Sequence, residues 1–274
     1  MRNVFEIAGG SIAGRDHRHS LTNTQDAFCW DCDGDTLVAV VCDGCGSEKN
    51  SEVGAQIGCR LVAKDLLNVC KTKSSIALQA NRILDEVARD LTTWVGRIAD
   101  LMAGDQAMKT GIICQYFLFT VVAAIMTRYT TCVAMAGDGV FIINGEVFHK
   151  TSKDNKPDYL SYGAMNPSRV PSFSLVHMRP TCEVNSLVIG SDGLADLIAA
   201  ADQKIPGKDE KVGPISQFWE RDLFFRNPFA IQHRLNLINR SASHIDWAKQ
   251  ITSQEHGPMT DDTTLVSIRR KTHA

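Results

Sequence analysis

Two long helical patterns lie between runs of β-strand and restrict the fold more than any other feature of the chain. In 51–70 and again in 75–103, apolar residues recur at helical spacing along one face. They follow two β-rich runs, 26–32 and 36–42, which the turn sequence D-G-D joins into an antiparallel hairpin. Helices inserted between antiparallel strands predict an α+β domain in which helices cover the faces of the sheets.

The rest of the chain continues this mixture of elements. Further strands are predicted at 116–126, 131–136, 139–143, 184–190 and 264–269. Asn144-Gly145 is typical of a hairpin turn that leads into Glu146–His149. The polar stretch 150–182 predicts a surface excursion, 194–200 a short helix, and 215–253 helices with a break near 240–243. At 274 residues, the chain fits one large domain or two small ones.

Charge and hydropathy limit the partners of the protein. The formal net charge of −2 leaves no basic surplus for nucleic acid and no polybasic tail for membranes. No apolar run reaches the ~18–20 residues that cross a bilayer. The N-terminal M-R-N-V-F-E-I-A-G-G lacks the apolar stretch and cleavage site of a signal peptide. We therefore expect a cytoplasmic protein that binds neither nucleic acid nor membrane.

Nine cysteines raise a separate hypothesis. Cys29-x-x-Cys32 and Cys42-x-x-Cys45 together have the composition of a four-cysteine zinc site. However, the gap between the pairs is short for a zinc ribbon, and Cys29 and Cys42 lie in apolar strands rather than in tight turns. A redox role for C-D-G-C is disfavoured because no helix begins at its first cysteine. The favoured interpretation is that these cysteines are packing residues in a reducing compartment, and a zinc-binding interaction domain is the weaker alternative.

Acidic residues recur where apolar strands begin or end. The positions are Asp26, Asp43, Asp138, Asp192 and the pair Asp261–Asp262. Each has a simple structural explanation when taken alone, because Asp-Gly is a common turn dipeptide and Asp often caps the next element. Carboxylates that converge at one edge of a sandwich repel one another unless divalent cations neutralise them. Oxygen ligands without a histidine cluster favour Mg²⁺ or Mn²⁺ over zinc.

The order of these motifs resembles a known family. N-x-Q-D-A-F, V-V-x-D-G-x-G-S, A-G-D-G-V-F-I-I-N-G, I-G-S-D-G-L-A-D-L and D-D-T-T-L-V look like the successive motifs of the type 2C, metal-dependent serine/threonine protein phosphatases. The resemblance runs from about residue 9 to residue 269 and is closer to the bacterial branch. It implies a single domain over 1–274 with a four-layer αββα fold, a central antiparallel β-sandwich flanked by helix pairs. The stretch 150–182 then corresponds to a substrate-facing flap.

The resemblance also implies roles for individual residues. Asp43 is expected to bridge two Mg²⁺ or Mn²⁺ ions, with the Gly44 carbonyl oxygen as a further ligand. Asp192 and Asp261 are expected to complete the first ion's protein ligands, and Asp138 to help hold a third, looser ion. Asp26 is expected to act through metal-bound water. A metal-activated water then attacks phosphorus in line, without a protein nucleophile.

Two positions depart from the family pattern. Many members carry an arginine five residues before the first aspartate to hold the substrate phosphate, whereas this chain has Leu21. The nearby sequence G-R-D-H-R-H offers candidates instead: Arg15, Arg18 and His19 for phosphate, and His17 as a general acid. A solvated basic loop is the structural alternative. The second departure is Gln25, where some members carry an acid, and it predicts a more loosely held second ion.

The leading hypothesis is therefore a phosphatase that acts on phosphoserine or phosphothreonine in proteins, together with a partner serine/threonine kinase. The alternative is a catalytically weak or inactive regulatory module that keeps the same fold and binds phosphoproteins. The presence of all five metal aspartates favours the enzyme.

Overall fold

Two antiparallel five-stranded sheets form the centre of the computed structural model, which describes residues 1–72, 76–152, 156–166, 168–169 and 172–271. In spatial order, the first sheet contains β1 (Phe5–Ile12), β12 (Thr263–Arg270), β9 (Ser186–Gly190), β6 (Gly139–Ile143) and β7 (Glu146–Lys150). The second sheet contains β2 (Ala27–Asp33), β3 (Thr36–Gly44), β4 (Phe119–Met126), β5 (Thr130–Ala136) and β8 (Ser174–Pro180). A separate hairpin pairs β10 (Ala242–Asp246) with β11 (Ile251–Glu255).

Helices cover the outer face of each sheet. The helices α2 (Ser51–Thr72), α3 (Ile76–Met102) and α4 (Gln106–Phe117) lie on the second sheet, and α5 (Tyr162–Met165) packs beside α3. The first sheet is covered by α6 (Gly193–Ala199), α7 (Gln217–Glu220), α8 (Leu223–Arg226) and α9 (Ala230–Ile238). The short α1 (Arg15–Ser20) follows β1.

Strand β3 shows why the layers form. Leu37, Ala39 and Val41 belong to the core between the two sheets. Val38 and Val40 alternate with them and pack instead against α2 and α3. Because successive side chains of a strand point to opposite faces, a strand buried on both faces must be apolar throughout. The predicted four-layer αββα arrangement is confirmed.

The sequence-predicted turns are in place. Strands β2 and β3 form an antiparallel hairpin, and Gly34 in its turn has a φ of 53°. Asn144 and Gly145 join β6 to β7 with φ values of 51° and 87°. Both values lie in the left-handed region that a two-residue hairpin of this kind requires, which explains the Asn-Gly dipeptide.

Three predicted segments differ from the structure. The strand predicted at 116–126 begins only at Phe119, because 106–117 form α4, whose first turn is capped by Asp105 through the Met108 backbone N–H at 3.0 Å. The excursion predicted at 150–182 contains β8, which pairs with β5. Of the helices predicted over 215–253, the last ends at Ile238, before the predicted break near 240–243, and 242–255 form the β10–β11 hairpin instead of a further helix.

Among the described residues, none of the helices combines the length and apolar character needed to cross a membrane.

Candidate metal centre

A polar cleft of about 360 Å³ opens at one edge of the sandwich. Four of the predicted aspartates line it, namely Asp43, Asp138, Asp192 and Asp261. The other lining residues are Gly44, Cys45, Gly46, Ser47, Thr120, Pro157 and Tyr159. The strand-end carboxylates therefore converge, as the sequence pattern predicts.

The sandwich itself directs these side chains to one place. Asp43 follows Val41 on the face of β3 that packs against the first sheet, and it pairs across the ladder with Thr120 of β4. Asp138 lies between β5 and β6, Asp192 starts α6 directly after β9, and Asp261 precedes β12. The ends of strands from both sheets thus meet at the same edge.

Gly44 fits the close approach that a backbone ligand requires. A Cβ atom at this position would lie 2.7 Å from the Gln25 carbonyl oxygen and 2.8 Å from Ser51 Oγ. The Gly44 N–H donates to the Gln25 carbonyl oxygen at 3.2 Å. Any side chain here would push the strand end away from Gln25, so the backbone of Gly44 remains packed beside the cleft.

Asp26 lies behind the cleft and is almost completely buried. Its Oδ2 accepts a hydrogen bond from Ser191 Oγ at 2.7 Å, whereas Oδ1 has no hydrogen-bond partner among the described residues. Burial, followed by the negative charge of Asp262, raises the pKa of Asp26 to about 8. A buried carboxylate oxygen without a partner is costly unless a cation or water satisfies it.

The cleft carboxylates also destabilise one another's charged forms. Burial raises the pKa of Asp43, and the charges of Asp26 and Asp192 raise it further. Burial and the charge of Asp261 likewise raise the pKa of Asp192. Partial desolvation within the cleft also raises the pKa of Asp261, although much of the residue stays exposed to solvent. Among the described residues, no lysine or arginine lines the cleft to offset these charges.

Asp262 is a functional position that the sequence reasoning did not assign. Its Oδ1 accepts from the Gly14 N–H at 2.8 Å and contacts His17 Nδ1 at 2.7 Å, and its Oδ2 accepts from the Gln25 N–H at 2.5 Å. Potential ligand atoms of His17, Asp261 and Asp262 all lie within 4.8 Å of one another. Both oxygens of the Asp262 carboxylate already have hydrogen-bond partners. We therefore interpret Asp262 as a structural residue whose hydrogen bonds hold the segments of Gly14, His17 and Gln25 beside Asp261. The unusual D-D pair is the sequence signal for it.

The candidate phosphate-binding residues of α1 make contacts outside the cleft. The Arg18 guanidinium donates to the Asn239 carbonyl oxygen, Arg15 pairs with Asp16 at 3.5 Å, and the His19 ring contacts that of His256. Within the described part of the chain, neither these three residues nor His17 lines the aspartate cleft. His17 is nevertheless held near the cleft through Asp262.

Gln25 has an amide oxygen without a partner. The side chain is 2% exposed, and its Nε2 donates to the Glu48 carbonyl oxygen at 2.5 Å, which assigns the orientation of the amide. Oε1 has no hydrogen-bond partner among the described residues. It is the nearest atom, at 3.9 Å, to a Cβ built on the cleft residue Gly46. A neutral oxygen thus lies where the family resemblance predicts an acid.

The two CxxC pairs do not form a zinc site. Cys29 packs on the helix side of β2 and Cys32 on the sandwich side, because residues three apart on a strand face opposite ways. Cys42 is buried beneath α2, whereas Cys45 lines the aspartate cleft. Among the described residues, no three of these sulfur atoms come within metal-binding distance of one another. The zinc-domain alternative has no geometric support.

Comparisons with known proteins agree with this fold. A family model described as protein phosphatase 2C matches residues 13–222. A bacterial serine phosphatase structure is 17% identical, with a TM-score of 0.58, over 97% of this chain and 98% of that chain. Serine/threonine phosphatase Stp1 from Staphylococcus aureus is 16% identical, with a TM-score of 0.57, over 97% and 95% of the two chains.

A third solved structure is the catalytic domain of serine threonine protein phosphatase PstP in complex with two manganese ions. It is 14% identical, with a TM-score of 0.53, over 97% of this chain and 98% of that chain. No curated protein sequence matches the chain.

The fold and the family match define a protein-serine/threonine phosphatase. The chain belongs to the protein phosphatase 2C family, because the family model covers most of its length. The predicted resemblance is confirmed.

Proposed function

We propose that this protein hydrolyses phosphoserine and phosphothreonine in proteins, using Mg²⁺ or Mn²⁺ held in the aspartate cleft, and that 1–274 act as one catalytic domain. The observation that carries the proposal is the convergence of Asp43, Asp138, Asp192 and Asp261 in one cleft without a lining lysine or arginine among the described residues. Like charges so arranged favour bound cations.

The donor set fits divalent cations of the hard type. It consists of carboxylate oxygens and the Gly44 carbonyl, which are the ligands that Mg²⁺ and Mn²⁺ prefer. We assign Asp43 as a ligand to two ions, the Gly44 carbonyl oxygen as a further ligand, Asp192 and Asp261 to the first ion, and Asp138 with Asp192 to a third. Asp26, with its unpartnered Oδ1, lies behind Asp43 and is assigned to a water of the metal shell. PstP was solved with two manganese ions, which supports a site for more than one ion.

The chemistry divides between the ions and the chain. When bound, the ions would lower the pKa of a water molecule and offset charge on the phosphoryl oxygens. The chain itself positions the ligands: Ser191 holds Asp26, and Asp262 holds His17 through Nδ1. His17 keeps its assignment as the general acid, supported by its position beside Asp261 and Asp262 at the edge of the cleft. Arg15, Arg18 and His19 stay proposed as phosphate-binding residues, although none of them is among the described residues that line the cleft.

The substrate assignment has a consequence for partners. A phosphomonoester on serine or threonine is the product of a kinase, so a protein kinase must supply the substrate. We therefore infer that a serine/threonine kinase is the functional partner of this phosphatase.

The decisive experiment measures hydrolysis of a phosphothreonine peptide and of p-nitrophenyl phosphate during titration with Mn²⁺. Asp43→Asn is expected to reduce activity by at least about 10³-fold, since it removes the charge of the bridging ligand. Asp35→Asn, the same change at an exposed turn, is the matched control and should keep wild-type activity.

Two results would contradict the proposal. One is an Asp43→Asn protein with full activity, and the other is wild-type activity that persists in excess EDTA. A wild-type protein that is inactive with every divalent ion, yet binds phosphopeptides, would favour the regulatory module instead.

A further inference from the structure

A thiol pair that the proposed phosphatase chemistry does not use lies between β2 and α2. Cys59 Sγ and Cys29 Sγ are 3.0 Å apart, and Cys29 Sγ also donates to the Cys59 carbonyl oxygen at 3.2 Å. Cys59 in turn contacts the carbonyl of Val40 at 3.4 Å and the thiol of Cys42. The two sulfur atoms are therefore held against each other by the packing of a helix on its sheet.

The two thiols differ in their access to solvent. Cys29 is half-buried and lines a surface groove of about 440 Å³ between β2 and α2. Cys59 is 1% exposed and lies behind it. The groove carries charges of both signs, with Arg60, Lys64 and Lys71 opposite Asp31 and Asp33, and Lys71 pairs with Asp33. A small oxidant that enters the groove meets Cys29 first, with Cys59 already in contact as the second thiol.

We propose that Cys29 and Cys59 form a reversible disulfide, a covalent modification site in the groove between β2 and α2. With hydrogen peroxide as the oxidant, the Cys29 sulfur attacks one peroxide oxygen, the O–O bond breaks, and sulfenic acid and one water form. The Cys59 sulfur then attacks the Cys29 sulfur, the S–O bond breaks, and a second water leaves. Both thiols lose one hydrogen, and the peroxide is reduced to two waters.

The surroundings of Cys29 and Cys59 slow the oxidation of the two thiols without preventing it. A hydrogen bond between the two thiols and burial raise the pKa of Cys29, and burial raises that of Cys59. Since the thiolate is the reactive form, both residues stay reduced under mild conditions. Cross-linking then requires sustained oxidant rather than a brief exposure, which distinguishes this pair from a low-pKa peroxide sensor.

The cross-link would close a loop that contains the metal centre's bridging residue. Residues 30–58 lie between the two cysteines and include Asp43, Gly44 and the start of α2. Joining these segments limits the freedom of the unfolded chain most directly around that loop. The oxidised protein should consequently unfold at a higher temperature than the reduced one.

In the experiment, the metal-free protein carrying Cys182→Ser is treated with hydrogen peroxide. This substitution removes the exposed cysteine. The expected product is an intact chain about 2 Da lighter, with one proteolytic cross-link between the peptides of Cys29 and Cys59, and dithiothreitol should reverse it. Cys29→Ser should abolish the mass loss. Cys32→Ser is the matched control, because Cys32 lines the same groove but faces the other side of β2, and the cross-link should persist.

The proposal is overturned if peroxide oxidises Cys29 to sulfinic or sulfonic acid without a cross-link, or joins Cys29 to a different cysteine. It is also overturned if both thiols remain reduced after prolonged treatment with peroxide well beyond the dose that fully oxidises Cys182 in the unmodified protein. These readouts are masses and do not depend on phosphatase activity, so either outcome leaves the proposed function untouched.

Discussion

Replacing Asp262 by alanine should destabilise the protein without removing any proposed metal ligand. The carboxylate of Asp262 is 3% exposed and accepts the backbone N–H groups of Gly14 and Gln25 at 2.8 and 2.5 Å, besides contacting His17 Nδ1. Alanine leaves both N–H groups buried without an acceptor. Because Gln25 directly precedes Asp26, the loss of its acceptor should also loosen the back of the cleft.

The magnitude follows from the two orphaned donors. A buried unsatisfied donor costs about 1–3 kcal/mol, so the expected loss is about 2–6 kcal/mol. That is a large part of the roughly 5–15 kcal/mol by which a folded domain is stable. Removing the charge of Asp262 offsets some of this loss, since Asp262 is the second cause, after burial, of the raised pKa of Asp26. The net effect should remain clearly destabilising.

Urea unfolding at pH 7, in EDTA and in excess Mn²⁺, measures this loss, and Asp261→Ala is the matched control. Asp261 is exposed, and the Oδ1 of its carboxylate accepts the Asp262 N–H at 2.8 Å. Its removal leaves one N–H, that of Asp262, without this acceptor, so in EDTA it should cost less than Asp262→Ala, which leaves two. In Mn²⁺ at 100 times the dissociation constant, the wild type gains about 2.7 kcal/mol, and Asp261→Ala should lose most of this gain.

The reasoning would be refuted if Asp262→Ala changed the free energy of unfolding in EDTA by less than about 0.5 kcal/mol. It would also fail if Asp261→Ala were the more damaging substitution in EDTA. Either result would mean that the hydrogen bonds of Asp262 do not hold this edge of the sandwich together.

Three further predictions address the site and its support. Gln25→Glu adds a buried carboxylate beside Asp26, so it should tighten Mn²⁺ binding, measured by calorimetry, and lower the stability of the metal-free protein. An unchanged Mn²⁺ affinity would contradict a role for Gln25 at the site. The pKa of Asp26 is about 8 in the folded protein and near 4 in the unfolded chain, so between these values the folded state binds the extra proton. The metal-free protein should therefore lose stability as the pH rises from about 4 to 8, by at most about 1.4 kcal/mol per pH unit. In urea unfolding, Asp26→Asn should flatten that slope. Gly54→Ala should cost about 1–3 kcal/mol in the same assay, because its Cβ would lie 1.9 Å from the Tyr116 carbonyl oxygen; a neutral effect would show that α2 and α4 separate easily.

Local chemistry was sufficient to predict much of the fold. The D-G-D and Asn144-Gly145 turns act through backbone conformations of their own residues, and α2 and α3 are long enough for their apolar spacing to be unambiguous. The prediction was wrong where strand pairing decides. Strands β10 and β11 pair as a hairpin although a helical pattern is predicted up to 253, and β8 forms by pairing with β5 within the stretch predicted as a surface excursion.

The candidate site was predictable only as a set of residues. Alternation along β3 places Asp43 on the sandwich face, and the Asp-Gly motifs mark the ends of strands that meet at one edge. The positions of Arg15, Arg18 and His19 were not predictable, since Arg18 is held by the carbonyl of Asn239, more than 200 residues away. No local pattern reports such a contact.

The sequence by itself determined which residues bear charge at strand ends, because the period of two and the turn dipeptides are properties of neighbouring residues. Only the tertiary structure decided which of them share a site. Folding brings together Asp43 and Asp261, pins Gly14 and Gln25 to Asp262, and pairs Cys29 with Cys59 rather than with Cys32. The physical reason is that proximity across sheets and layers depends on how whole faces are buried, which is a property of the complete chain.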